Sequence, residues 1–209
     1  MANLKIGRMV IGVYATNCYF LYRQGNPNVL VADPADQGEL IYTKLKEKGF
    51  TVAGILLTHG HFDHIWGANE LRAVSGAPIY ALDTKEKLSE NANLNVSAQA
   101  GRSCSVKLDH YVKDGEELTV ADISFKVLAT PGHTGDSCCY YFEKAGFLIC
   151  GDTIFLESIG RTDFPTGSSS SLLRSVREKI FVLPDTVALY PGHGEGSTVE
   201  HEKKYNPFF

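Results

Sequence analysis

Four side chains of the kind that bind metal ions fall within six positions: His59, His61, Asp63 and His64, in the run Thr58-His59-Gly60-His61-Phe62-Asp63-His64. Imidazole and carboxylate together suit zinc, iron or manganese. An apolar stretch, Gly54 to Leu57, leads straight into the run. A strand end followed by a tight turn can aim His59 and His61 at one point, and Asp63 and His64 at a neighbouring one. The same pattern recurs at three other places. Pro131-Gly132-His133-Thr134-Gly135 follows a strand ending at Ala129, Gly151-Asp152-Thr153 one ending at Cys150, and Pro191-Gly192-His193-Gly194 one ending at Tyr190. Each joins an apolar strand, a glycine turn and one ligand-type residue. A lone histidine after a strand is more often a hydrogen-bonded structural residue. Four strand ends of one pattern instead point to one shared site on loops carried by a rigid scaffold.

Counting ligands gives a stoichiometry. Two histidines of the run plus His133 make a three-nitrogen site. Asp63, His64 and His193 make a second, and Asp152 can bridge the two. Positions stay open for a bridging water, as a hydrolytic two-metal centre requires. His110 and His201 lack a glycine turn and read as surface or structural residues.

The elements that must position these residues follow from periodicity. Strand signals cover Leu4 to Val13, Asn17 to Tyr22, Val29 to Ala32, Thr51 to Leu57 and Pro78 to Leu82. Between them, Leu40, Ile41 and Leu45 suit an amphipathic helix stopping at Gly49, and Trp66 to Ser75 a helix closed by Gly76. Glu90 to Arg102 is polar and weakly patterned, and reads as a mobile loop. Strands return at Glu117 to Val120, Ile123 to Ala129, Ser137 to Glu143, Phe147 to Gly151 and Thr186 to Tyr190. Helices are expected over Ser168 to Ile180 and Thr198 to Lys204. Strands with helices in each half predict an α+β fold, two packed sheets with helices outside, as a four-layer αββα sandwich forming one domain over residues 1–209.

Bulk properties narrow the function. The chain has 209 residues, 44% hydrophobic and 21% charged, with a net charge of -4. No cluster of lysine and arginine offers the concentrated positive charge that phosphate backbones need, so nucleic acid is excluded as the main partner. No stretch approaches the ~20 apolar residues of a membrane span. Met1 to Val13 lacks the form of a secretory signal, so a cytoplasmic location is the default expectation. The five cysteines are odd in number and form no CxxC pair, and are expected to be free, mostly buried thiols. Oligomeric state is not legible.

With His59 to His64 in an HxHxDH run and His133, Asp152 and His193 following in order, the chain resembles the metallo-β-lactamase-fold superfamily. Within it, Asn17-Cys18-Tyr19, Asp33-Pro34, Gly160-Arg161-Thr162-Asp163-Phe164-Pro165 and Glu202-Lys203-Lys204-Tyr205-Asn206-Pro207-Phe208 resemble the glyoxalase II-like hydrolases, over nearly the whole chain. The resemblance implies an αββα sandwich, two divalent metal ions (zinc first, iron or manganese otherwise) and hydrolysis of a small-molecule thioester such as S-lactoylglutathione by metal-activated water. His59, His61 and His133 would hold the first metal, Asp63, His64 and His193 the second, and Asp152 both. Asp63 would also orient the attacking group as a catalytic residue. Asp33 would orient a ligand by hydrogen bonding, or else serve as a helix-start or turn residue. Full-length glyoxalase II enzymes carry an added C-terminal helical region that helps hold glutathione. This sequence ends at Phe209 and resembles the shorter, single-domain branch, which leaves glutathione recognition open.

Two other enzyme classes compete. Persulfide dioxygenases share the Gly-Arg-Thr-Asp-Phe loop and use one iron, here on His59, His133 and Asp152; oxygen consumption with glutathione persulfide separates them. A lactonase or β-lactamase is the other, and Asp152, where the commonest β-lactamase type has a cysteine, argues against the second of these.

Overall fold

The computed structural model describes residues 3–209, so the first two residues of the N-terminal stretch inspected for a signal lie outside it. Strand β3 (Asn28–Ala32) shows how the layers form. Val29 and Val31 enter one apolar layer, Leu30 and Ala32 another, because successive side chains on a strand point to opposite faces. Strand β5 (Ile79–Leu82) alternates in the same way between those layers, and β4 (Thr51–Leu56) does so past a register shift, with Val52 and Ile55 in the first layer and Leu56 in the second. In the other half, β9 (Cys138–Phe142) places Cys138, Tyr140 and Phe142 in the shared inner layer and Cys139 and Tyr141 in a third. β10 (Phe147–Gly151) repeats this with Phe147 and Ile149 inward and Leu148 and Cys150 outward. All five of these strands are covered on both faces, which is why they read as continuous apolar runs.

Sheet one runs β1-β2-β3-β4-β5-β6, adding β1 (Leu4–Ile11), β2 (Thr16–Arg23) and β6 (His110–Val112). Its first three strands are antiparallel and β3 to β6 parallel. Sheet two runs β14-β13-β10-β9-β8-β7, from β7 (Glu117–Val120), β8 (Ile123–Ala129), β13 (Ala188–Pro191) and β14 (Ser197–Thr198). A small hairpin of β11 (Ile154–Phe155) and β12 (Ser158–Ile159) stands apart. Outside sheet one lie α1 (Gly38–Glu47), the short α2 (Phe62–Ile65) and α3 (Ala68–Ser75); Ile41, Leu45, Ile65 and Leu71 close its outer layer. Outside sheet two lie α4 (Ser169–Ser175), continued by a π turn at Val176–Ile180, and α5 (Val199–Tyr205). The result is the α+β, four-layer αββα sandwich expected.

Several element-level expectations shift. β1 stops at Ile11, because a turn with Gly12 at φ 76 and Ala15 at φ 54 follows. The helix expected over Trp66 to Ser75 starts only at Ala68, as α3, and the short α2 precedes it; Gly67 between them packs so tightly that a Cβ would lie 2.5 Å from the Pro34 carbonyl oxygen. Leu40 is 43% exposed, leaving Ile41 and Leu45 as the buried stripe of α1. The segment expected to be a mobile loop is pinned instead. Asn95 is fully buried, its carbonyl accepts the Phe62 N–H and its side chain donates to the Cys104 carbonyl. β6 was not foreseen, since His110 and Tyr111 are exposed and only Val112 is buried. The cysteines are all free, and all but Cys104 are buried.

Candidate metal centre

Five strands deliver the site. β3 runs into Asp33, β4 into His59 to His64, β8 into His133, β10 into Asp152 and β13 into His193. β3 and β4 are parallel, as are β10 and β13, and β8 and β10 both run opposite to β9, so within each sheet the loops leave at one end. All seven residues singled out by spacing meet there, in overlapping groups: His59, His61 and His133; His59, His64 and Asp152; and Asp63, His64 and His193.

In the first group, His59 Nε2 lies 3.2 Å and His133 Nε2 2.9 Å from His61 Nδ1. In the second and third, Asp63 Oδ2 is 3.2 Å from His193 Nε2, and His64 Nε2 is 3.9 Å from Asp63 Oδ2. Asp152 lies between. Its Oδ1 is 3.3 Å from His64 Nε2, and its Oδ2 is 3.5 Å from His133 Nε2 and 3.6 Å from His193 Nε2.

Hydrogen bonds on the far side of each ring set which nitrogen faces inward. The Thr58 hydroxyl donates to Asp33 Oδ2 at 2.7 Å, so its oxygen is free to accept from His59 Nδ1–H at 3.1 Å. His64 Nδ1–H donates to Asp33 Oδ2 at 2.9 Å, and His133 Nδ1–H to the Arg161 carbonyl at 2.7 Å. Each of these rings then turns a bare Nε2 lone pair inward. Converging lone pairs repel unless a cation lies among them. The buried atoms His64 Nε2, Asp152 Oδ1 and His61 Nε2 have no hydrogen-bond partner, a costly state for polar atoms in an interior. For the two inward-facing atoms, His64 Nε2 and Asp152 Oδ1, a divalent metal would relieve it. The nitrogen and carboxylate donors fit such ions.

Likeness to known proteins agrees with this geometry. The model of the metallo-beta-lactamase superfamily matches residues 11–193. The chain belongs to this family. A probable metallo-hydrolase, YqgX of Bacillus subtilis, is 37% identical over 98% of this chain and 97% of its own. The hydroxyacylglutathione hydrolase GloC of Haemophilus influenzae is 30% identical over 99% of this chain and 97% of its own. Among solved structures, the BLEG-1 B3 metallo-beta-lactamase superposes with a TM-score of 0.92 at 36% identity, covering 98% of this chain and 99% of that one. TTHA1623 in a di-iron-bound form gives 0.86 at 28% identity, covering 97% and 100%. The chain is thus a metallo-hydrolase of the metallo-β-lactamase superfamily.

Burial and charge hold these candidate ligands in different states. Burial first, then the charge of His64, His133 and other neighbouring rings, pushes His59 well below the usual imidazole range. Burial and His133 lower His61 to about 3. For His64 burial acts downward too, but Asp152, Asp33 and Asp63 outweigh it and raise the ring well above its ordinary value. For Asp152 and Asp63, burial acts upward and is outweighed, chiefly by His64, so both carboxyls are held below the usual range. Neutral rings and ionised carboxylates are the forms that bind metal, so His64 would give up its proton on binding.

The supporting residues were only partly foreseen. Asp33 is no helix cap: with φ 51, it accepts the Thr58 N–H on Oδ1 at 2.8 Å and the Thr58 hydroxyl and His64 on Oδ2, the ligand-orienting reading. Asn17 was quoted as part of a motif without a task. Its side chain donates to the Pro191 and Gly194 carbonyls at 2.9 and 3.0 Å, and its N–H to the Gly192 carbonyl at 2.7 Å, bracketing His193. Asp136 was missed. It is buried, accepts from Thr134 and from the Gly60 N–H inside the His59 to His61 turn, and burial pushes its carboxyl up to about 6. His110 stacks on Tyr80 and His201 pairs with Glu157, both outside the centre.

Proposed function

We propose that this chain hydrolyses thioesters of small S-acylated thiols, S-lactoylglutathione among them, at a two-metal centre on His59, His61, Asp63, His64, His133, Asp152 and His193. Asp152 carries the reading. Its two oxygens face histidines of both ligand groups, so the seven side chains form a joined pair of sites rather than one. Bound there, zinc, or iron or manganese, supplies a lowered pKa for water and polarisation of the substrate carbonyl. The protein does the rest. Asp63, 3.2 Å from His193, is held ionised and can orient the attacking water. The leaving thiolate, from a thiol of pKa about 8.5, departs without a general acid. Phe164 stands edge-on 5.4 Å from His61, braced by the Arg161 guanidinium 3.9 Å from its ring centre, and forms one wall. Tyr14, 5.0 Å from Phe62, and Trp66, 4.6 Å from it, form another. The name of the Haemophilus relative supports a glutathione thioester.

Likeness to the BLEG-1 structure favours a second reading, β-lactam hydrolysis at the same residues. One set of assays on purified protein separates the readings: elemental analysis, then turnover of S-lactoylglutathione, a chromogenic cephalosporin and a lactone, and oxygen uptake with glutathione persulfide. Two metals per chain with thioester turnover far above the others is the expected result. Cephalosporin turnover without thioester cleavage, or oxygen uptake on one iron, overturns it.

A further inference from the structure

Glu202 is completely buried on α5, the helix that follows the His193 loop, and lies far along the chain from the other candidate ligands. An interior carboxylate is tolerated only when its oxygens are satisfied. Here the Glu157 N–H donates to Oε2 at 3.0 Å, the Asn206 side-chain amide donates to the same oxygen at 2.7 Å, and the Ser197 hydroxyl donates to Oε1. Asn206 also donates to the Ser158 carbonyl at 3.0 Å. These partners are not scattered. Glu157 and Ser158 form the turn and return strand of the β11–β12 hairpin, which runs from Asp152 to Arg161. Arg161 offers the carbonyl that fixes the His133 ring, and Gly160 passes so close beneath that a Cβ there would lie 1.9 Å from the Asp152 carbonyl and 3.1 Å from His133 Nδ1. Ser197 opens β14, directly after the loop that carries His193.

We infer that Glu202, with Asn206, is a positioning residue for the metal centre: it locks the hairpin between Asp152 and Arg161 to the end of the His193 loop. One carboxylate thereby sets the register of three candidate ligands, Asp152, His133 and His193, from three separate loops, and it does so without touching any of them. The glutamate fits this task because both oxygens accept, so it can join three donors from three segments at one point. His201 adds an outer tie, its Nε2 3.0 Å from Glu157 Oε1. The inference rests on the metal-centre reading above, but not on the identity of the substrate.

The test therefore reads metal rather than turnover. Wild type, Glu202→Gln, Glu202→Ala, Asn206→Ala and Leu45→Ala would be stripped, reloaded with cobalt(II), and compared by visible spectrum, chelator competition and thermal unfolding. Leu45 is buried between α1 and sheet one and serves as a purely structural control. Glu202→Ala is expected to weaken retention of metal at least about tenfold and to alter the cobalt spectrum, the size of effect seen when ligand-orienting partners are removed. Glu202→Gln can keep an acceptor for Glu157 and Asn206 while the Ser197 hydroxyl turns to accept, and should recover most of the affinity. Leu45→Ala should lower the melting temperature with metal affinity and spectrum unchanged. If Glu202→Ala does not fold, Asn206→Ala, which removes the Ser158 tie, one of the three donors and the acceptor of the terminal Phe208 N–H, carries the same comparison with a smaller shift. Wild-type affinity and spectrum in the alanine variants, or affinity losses that merely follow melting temperature in Leu45→Ala too, would overturn the inference. Because no substrate enters, its failure is distinct from a failure of the thioesterase reading.

Discussion

A histidine is fixed as a metal ligand when something else takes its second nitrogen. At the residue scale, that task falls here to Asp33, Thr58 and the Arg161 carbonyl, which commit the outer nitrogens of His64, His59 and His133. Asp33 serves two of these rings, one directly and one through Thr58. Asp33→Ala is therefore expected to lower metal affinity by about 10–100-fold, the usual cost of losing an orienting partner. Chelator competition on the folded variant measures it, and wild-type affinity would show that the rings hold their orientation unaided. This relay was partly legible beforehand: the Asp33-Pro34 pair marked a special position, but cap and orienting residue were equally open. Deciding between them needed the spatial neighbour 31 residues away.

At the element scale, the loops must be both short and closely packed. Gly60 and Gly132, in two of the ligand turns, mark where backbone meets backbone. Gly132 has φ 146 and faces the Leu172 N–H at 2.2 Å from a notional Cβ, and Gly160 admits no side chain above Asp152. Gly160→Ala should therefore displace either the Asp152 carbonyl or the Arg161 segment. Metal content and turnover are expected to fall together, and an alanine variant that keeps both would refute the close approach. Asn17 makes a second case. It clamps the His193 turn from β2 of the opposite sheet, where the isolated bridge Thr16 to His193 joins the two. Asn17→Ala removes one of two donors to the buried Pro191 carbonyl, which keeps the Tyr19 hydroxyl, and the donor to the exposed Gly194 carbonyl, and should cost about 1 kcal/mol of stability. Denaturant unfolding gives that number, and metal analysis should show selective weakening of the group containing His193. An unchanged unfolding midpoint would remove Asn17 from this role. Such clamps escape a reading of local pattern because their partners lie more than 170 positions away.

At the scale of the whole molecule, the centre joins two sheets and stores charge there. That gives chelator-stripped protein a characteristic pH dependence. His59 and His61 are held neutral in the fold, with His61 near 3 against an ordinary value of 6.5. As pH falls below 6.5 the unfolded chain takes up their protons and the folded one does not, so stability drops by up to about 1.4 kcal/mol per group per pH unit. Asp63 and Asp152, held low, add further loss as pH falls below the ordinary carboxylate value of 3.8. His64 acts in the opposite sense. Its raised value gives stability that is complete below 6.5 and is lost as pH climbs toward its folded value. The stripped protein should therefore be most stable near pH 6.5, and urea midpoints across pH 4 to 9 test this. A midpoint rising steadily to pH 9 would show that His64 does not carry the charge assigned to it.

By itself, the sequence determined the chemistry and the layering. Ligand types must be written in the chain, and continuous apolar runs announce strands covered on both faces, so the seven candidate residues and the αββα sandwich were both legible. The sheet-one edge strand at His110–Val112 was not, because two of its three side chains are exposed and carry no apolar pattern. Nor was the break at Gly67, the order of Glu90 to Arg102, or the tie from Glu202 to Glu157. Each of these depends on a hydrogen bond or a steric contact between segments distant in sequence, and only the closed packing of the tertiary structure decides which groups meet. The candidate ligands themselves share that dependence: the sequence placed four after one strand and one after each of three others, and the alignment of those strands brought them to one point.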